Sequence, residues 1–200
     1  MRVPTPMQFW PVVLLALGLC GCVAEPQKVN AIQSVNQGFR VEYEKLLAEK
    51  GTRRVPQGRN EAFTAMRVTL ASLGMRTEQQ DVALGHIAVA AKAPLPLSDE
   101  EWRNASQADL PLLRKLIEPH VGLVANFVHF EPEGLEVVIN ATFIEVTGGT
   151  EVSLTVRLRE IAPPRSGWPR REYVGPHLVE VGMEKIFAAF ERELRAGPRP

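Results

Sequence analysis

Residues 135–159, LEVVINATFIEVTGGTEVSLTVRLR, decide the fold that this sequence predicts. Apolar side chains occupy alternate positions on both sides of the pair Gly148-Gly149: Leu135, Val137, Ile139, Ala141 and Phe143 before it, and Val152, Leu154, Val156 and Leu158 after it. A period of two predicts strands with one buried face, and two glycines supply the positive φ angles of a tight turn. The segment is therefore predicted to be an antiparallel hairpin whose apolar face needs a cover.

The neighbouring segments supply both more strands and the cover. Further strands are predicted at residues 75–80, 87–91 and 121–130 from their alternating or strand-like composition. Two amphipathic helices flank them, at residues 60–74 and 176–195, with helical apolar stripes at Phe63, Met66, Leu70 and Leu73, and at Val179, Met183, Ile186, Phe187, Phe190 and Leu194. We therefore predict an α+β two-layer sandwich, a mostly antiparallel sheet of about five strands covered on one face by two helices.

The remaining segments divide the chain into regions. Ser98 and Glu101 form a capping box for a short helix over residues 99–107, and a second short helix is predicted at residues 110–117. Residues 30–50 carry a helical stripe, and this helix could dock on the domain or serve a partner. Residues 52–59 are predicted to be a linker, because they include a proline and a glycine. The α+β domain is then residues 60–200, and residues 22–59 form a tether with an amphipathic helix.

The N-terminus has the features of a targeting segment. Residues 9–19 are an apolar run of eleven residues, which is too short to span a membrane and suits a signal peptide over residues 1–21. Leu19-Cys20-Gly21-Cys22 follows directly. This stretch resembles the lipobox of bacterial lipoproteins, with Leu19 three places and Gly21 one place before the modified cysteine, Cys22. The alternative is an ordinary secretory signal with two incidental cysteines.

The lipobox resemblance implies a covalent fate and a compartment. It implies cleavage before Cys22 and fatty acylation of that residue. The next residue is Val23 and not the aspartate that the family associates with retention at the inner membrane. The expected location is therefore the outer membrane, facing the periplasm, with the lipid as anchor. The mature chain would keep no thiol for a disulfide.

The succession of a helix ending in Leu-Gly and a hairpin also resembles small envelope lipoprotein domains of the BamC type.

Catalytic and cofactor chemistry is not predicted. The four histidines, His86, His120, His129 and His177, lack the spacing of a metal pair on one helix, so we expect no metal and no cofactor. Nucleophile-elbow, zinc-protease and phosphate-loop motifs are missing from the sequence. Loss of Arg2 with the signal would change the formal net charge from +0 to −1, which gives no basis for nucleic-acid binding.

The candidate interaction surface is the loop that contains Arg165, Trp168, Arg170 and Arg171. Arginine and tryptophan are enriched in binding hot spots, and the prolines around them exclude regular structure. The alternative is that Trp168 folds down onto the end of the sheet while the arginines are solvated.

The sequence thus predicts a non-enzymatic, membrane-anchored accessory or assembly module that binds another envelope protein. The alternative is a binder of a lipid or apolar small molecule between sheet and helices. A hydrolase of envelope polymers is the third possibility.

Overall fold

A computed structural model describes residues 23–129, 132–162, 168–169 and 171–197. In that part of the chain four α-helices and a short 3₁₀ segment accompany five strands. Their order is α1 (Glu25–Lys50), β1 (Thr52–Val55), α2 (Arg59–Ser72), β2 (Arg76–Asp81), β3 (His86–Lys92), α3 (Asp99–Val121), the 3₁₀ segment (Gly122–Phe127), β4 (Leu135–Val146), β5 (Gly149–Glu160) and α4 (Pro176–Ala196).

The central hairpin is β4–β5, as predicted. Val146 pairs with Gly149 at its turn, and the ladder runs to the pair Leu135 and Glu160. Gly148 and Gly149 have φ angles of 87° and 154°, which other residues rarely adopt. The sheet is antiparallel throughout, in the order β1-β5-β4-β3-β2. The predicted α+β class is confirmed.

Helices α2 and α4 cover the apolar face of the sheet by packing against its central strands. Their stripes meet the inward residues of the hairpin in one buried core, in which Phe190 and Ile139 are both 0% exposed. Residues with fully buried side chains include Met66, Leu70, Ile87, Leu154, Met183 and Ile186. The opposite face of the sheet is covered by no helix of the described residues.

A second, smaller core lies between α1 and α3. Ala31, Val35 and Phe39 of α1 meet Leu113 and Ile117 of α3. The helices approach so closely that a Cβ on Gly38 would lie 2.7 Å from the Leu116 methyl groups. The glycine inside α1, which lowers helix propensity, is therefore explained by close packing at this crossing.

Helix α1 docks on the sheet through its C-terminal half. The Leu154 amide donates to the Gly51 carbonyl, and the Val156 amide donates to the Tyr43 hydroxyl at 3.3 Å. Burial raises the pKa of Tyr43 above its usual value. The prediction of a linker at residues 52–59 is wrong for Thr52–Val55, which form edge strand β1 beside β5. The edge of β5 offered hydrogen bonds that composition alone does not reveal.

The two short helices predicted at residues 99–107 and 110–117 are one helix, α3. Its Ser98–Glu101 capping box is present, but Pro111 lies inside it. The buried positions on either side of the proline continue one stripe: Trp102, Ala105, Ser106, Asp109, Leu113 and Ile117. Burial of this stripe offsets the cost of about 3 kcal/mol that an interior proline carries.

Two further predictions are corrected at the ends of helices. Residues 121–130 do not form a strand where they are described, since Gly122 (φ 57°) ends α3 and a 3₁₀ turn follows. Helix α1 begins at Glu25, within the expected tether, with Pro26 in its first turn where a missing N–H costs nothing. None of the helices in residues 23–197 that are described is long and apolar enough to cross a membrane.

Candidate interaction surfaces

An open cleft of about 530 Å³ runs along the N-terminal half of α3. One wall is formed by side chains of that helix and the other by the segment that leads into β4. The lining residues are Asp99, Trp102, Arg103, Ser106, Gln107, Leu110, His129, Pro132 and Glu133. The cleft lies outside the layer between the sheet and α2 and α4, and its rim carries charges of both signs.

Two polar groups beside this cleft are buried without a partner. Trp102 is 4% and Ser106 6% exposed, and neither the indole Nε1 nor the hydroxyl Oγ has a hydrogen-bond partner among the described residues. A buried unpaired donor costs about 1–3 kcal/mol. The sequence predicted no binding role for Trp102 or Ser106. A serine at a buried stripe position, four residues after a tryptophan, was the available signal.

The predicted arginine–tryptophan loop is only partly described. Arg165 and Arg170 lie outside the described residues. Trp168 is half-buried and packs against the α1–α3 core rather than the end of the sheet. Arg171 is half-buried and makes an interaction of its own. Trp168 therefore helps to cover the second core, which reduces the aromatic surface that it can offer to a partner.

The uncovered face of the sheet carries paired charges. Arg159 of β5 donates from Nη2 to Glu136 and to Glu78, both at 2.6 Å. The hydrogen bond from Arg159 holds the pKa of Glu78 below its usual range. Arg76 lies 3.6 Å from Glu136 and extends the network to the β2 edge. Because these two cations and two carboxylates neutralise one another, the network adds no net charge to this face.

A carboxylate of α3 caps the beginning of α4. Asp109 is 3% exposed and accepts hydrogen bonds from the backbone amides of His177 and Leu178, at 2.9 and 3.0 Å. These amides belong to the first turn of α4, where no intrahelical acceptor exists. Gly175 permits the approach, because a Cβ there would overlap the Asp109 carboxylate. Burial raises the pKa of Asp109, and the two amides offset only part of that rise.

The histidines are dispersed rather than gathered around a site. The His120 ring shares a hydrogen bond with the Ser34 hydroxyl at 2.8 Å, and the His129 ring lies 3.1 Å from the Phe127 carbonyl. His177 lies 3.5 Å from Glu180 in the first turns of α4. Within the described ranges, no three metal-binding side chains of the His, Cys, Asp and Glu types come together.

The predicted lipidation site, Cys22, lies outside the described residues. Helix α1 begins at Glu25, so only Val23 and Ala24 separate the cysteine from a helix that docks on both cores.

The fold places the chain among α+β proteins with an antiparallel sheet and helices on one face. No protein-family model matches the sequence, and no curated protein sequence matches it significantly.

Proposed function

We propose that this chain is a lipid-anchored lipoprotein of the outer membrane, facing the periplasm, that binds another envelope protein without catalysing a reaction. The observation that supports binding is the α3 cleft with its two buried, unpaired donors. Natural proteins tolerate unpaired buried polar groups at functional sites, where the loss of folding free energy is offset by a gain in binding. Both residues line the cleft, and binding would have to expose the Trp102 N–H and the Ser106 hydroxyl to the carbonyl groups of an extended partner segment.

The shape of the cleft favours a protein partner over a small molecule. From Asp99 to Leu110 it follows about 17 Å of helix at 1.5 Å per residue. The cleft is about half open to solvent, whereas small-molecule sites bury most of their ligand. The alternative, a lipid or apolar ligand between sheet and helices, is weakened by the close-packed side chains there, such as Ile139, Leu154 and Phe190.

The lipid anchor is tested by mass. Protein extracted from membranes is expected to begin at Cys22 and to carry added acyl mass. Cys22→Ser should lose that mass and either remain uncleaved or appear in the soluble fraction. Cys20→Ser is the matched control and should change neither result, because the signal removes this residue. An unmodified chain that begins elsewhere would contradict the anchor.

The binding site is tested by removing the unpaired donors without disturbing the fold. Ser106→Ala deletes one donor with little change of volume, so this variant should melt at the same temperature or higher. Trp102→Phe deletes the other donor but also removes part of a buried ring system, so its melting temperature should fall by a few degrees while the fold is kept. The same variants should weaken partner binding about tenfold, the effect of one hydrogen bond of about 1.4 kcal/mol. Thermal melts and pull-down with the lipidated chain measure the two effects.

Crosslinking identifies the partner and places the contact. A photoreactive residue replaces Gln107 on the cleft rim, and Gln79 on β2, which is also exposed, is the control. In the intact envelope, position 107 should give a discrete protein adduct that Ser106→Ala reduces. Equal labelling at positions 79 and 107 would contradict the site. If position 107 crosslinks to a small molecule and not to a protein, the cleft binds a small ligand and the proposed protein binding is contradicted.

A further inference from the structure

The N-terminus of α1 and the 3₁₀ segment lie at the same end of the domain. Helices α1 and α3 are antiparallel, since Gly38 faces Leu116, whereas Ser34, one turn earlier in α1, contacts His120, one turn later in α3. The first turns of α1 therefore lie beyond the C-terminus of α3, where the 3₁₀ segment follows. Ala31 of α1 and Ala125 of that segment are buried in one cluster.

This end of the domain exposes large apolar side chains. Leu123 is 82% and Phe127 79% exposed on the 3₁₀ segment, and Val29 on α1 is 38% exposed. The segment itself is held in place by Ala125, which is 2% exposed. A fixed turn thus presents a leucine and a phenylalanine to the surroundings, an arrangement that favours contact with an apolar phase.

The place of Cys22 in the sequence indicates that the apolar phase in contact with these side chains is a lipid bilayer. The three residue steps from Cys22 to Glu25 reach at most about 10 Å, so an acyl group on Cys22 would leave the chain close to the first turn of α1. Interfacial segments bury their apolar side chains about 5–10 Å into the headgroup and acyl boundary. Arg114, which donates to the Asn126 carbonyl, adds a cation beside the segment. A cation there suits anionic headgroups.

We propose that Leu123 and Phe127 insert into the lipid bilayer beside the acylated N-terminus, so that the 3₁₀ segment is the membrane-facing surface of the domain. This inference rests on the proposed lipid anchor. The proposed insertion also sets the orientation of the domain. Helix α1 would extend away from the membrane, and the β4–β5 hairpin would lie beside its distal end.

The test uses a tryptophan probe in the lipidated full chain. The protein is reconstituted into vesicles of phosphatidylethanolamine and phosphatidylglycerol whose acyl chains carry bromine, which quenches indole fluorescence on contact. Phe127→Trp is compared with Leu84→Trp, because Leu84 is 77% exposed in the β2–β3 turn, beside the start of α2. The emission of the unsubstituted protein is subtracted from each spectrum.

The added emission at position 127 should be blue-shifted and mostly quenched, whereas that at position 84 should remain as in water. Equal quenching at the two positions, in protein that floats with the vesicles, would overturn the membrane-facing surface but leave the anchor intact. Protein without acyl mass that fails to float would instead contradict the proposed anchor. If the tryptophan at position 127 is unquenched in the vesicles but shielded from water in native envelopes, a protein contact would replace the lipid contact and the inference would be overturned.

Discussion

Leu154→Asp is expected to unfold the protein. Leu154 is 1% exposed on β5 and faces α2 and α4 in the main core. Burying an unpaired carboxylate costs several kcal/mol, which is comparable to a typical domain stability of about 5–15 kcal/mol. Circular dichroism should show loss of the cooperative thermal transition, and the variant should be degraded in cells.

Thr155→Asp is the matched control for this substitution. The next residue along β5 points to the uncovered face, where Thr155 is half-buried and lies 3.5 Å from the Asn140 amide. An added carboxylate there keeps access to water, so the melting temperature should fall by only a few degrees. Similar damage at positions 154 and 155 would mean that the register of the hairpin is wrong.

Asp109→Ala should be the most damaging substitution of a polar residue. It leaves the Leu178 amide buried and the His177 amide partly buried without an acceptor, and a buried unpaired donor costs about 1–3 kcal/mol. Gly175→Ala should cause a similar loss, because its Cβ would displace the same carboxylate. The double variant should be much less damaging than the sum, since the clash disappears with the carboxylate. Urea titrations measure the four free energies of unfolding, and simple additivity would contradict the cap.

The pH dependence of this cap has a definite sign. Because burial raises the pKa of Asp109 in the folded protein, the folded state binds a proton more readily than the unfolded state. Stability from this group therefore falls as pH rises from the usual value of 3.8 through the raised pKa. Asp109→Asn cannot titrate, so the wild-type protein should gain stability relative to this variant as pH falls through that window.

Alternation and capping predicted most of the architecture. The hairpin around Gly148-Gly149 and the α4 stripe could be predicted because their periodicity reflects a sheet face and a helix face directly. The Ser98–Glu101 box likewise marked the start of α3 correctly. These signals are local, so the sequence carries them without knowledge of which elements pack together.

Long-range packing caused the errors. Strand β1 forms because β5 offers it a partner about 100 residues away in sequence, and Pro111 is accepted in α3 because a stripe on both sides of it is buried. The apolar side chains of residues 121–130 predicted a strand, yet Leu123 and Phe127 are exposed at the surface. The cleft beside Trp102 is formed by two segments that no short sequence window contains.

The two edges of the sheet have a consequence for crowding. Strand β2 is polar along its length, RTEQQD, and its pairing with β3 shifts register between Thr77 and Gln79. Strand β1 has only four residues, and beyond it the Tyr43 hydroxyl takes the Val156 amide of β5. Charged, irregular and short edges resist the addition of a foreign strand. Many copies can therefore lie close together without joining their sheets into fibrils.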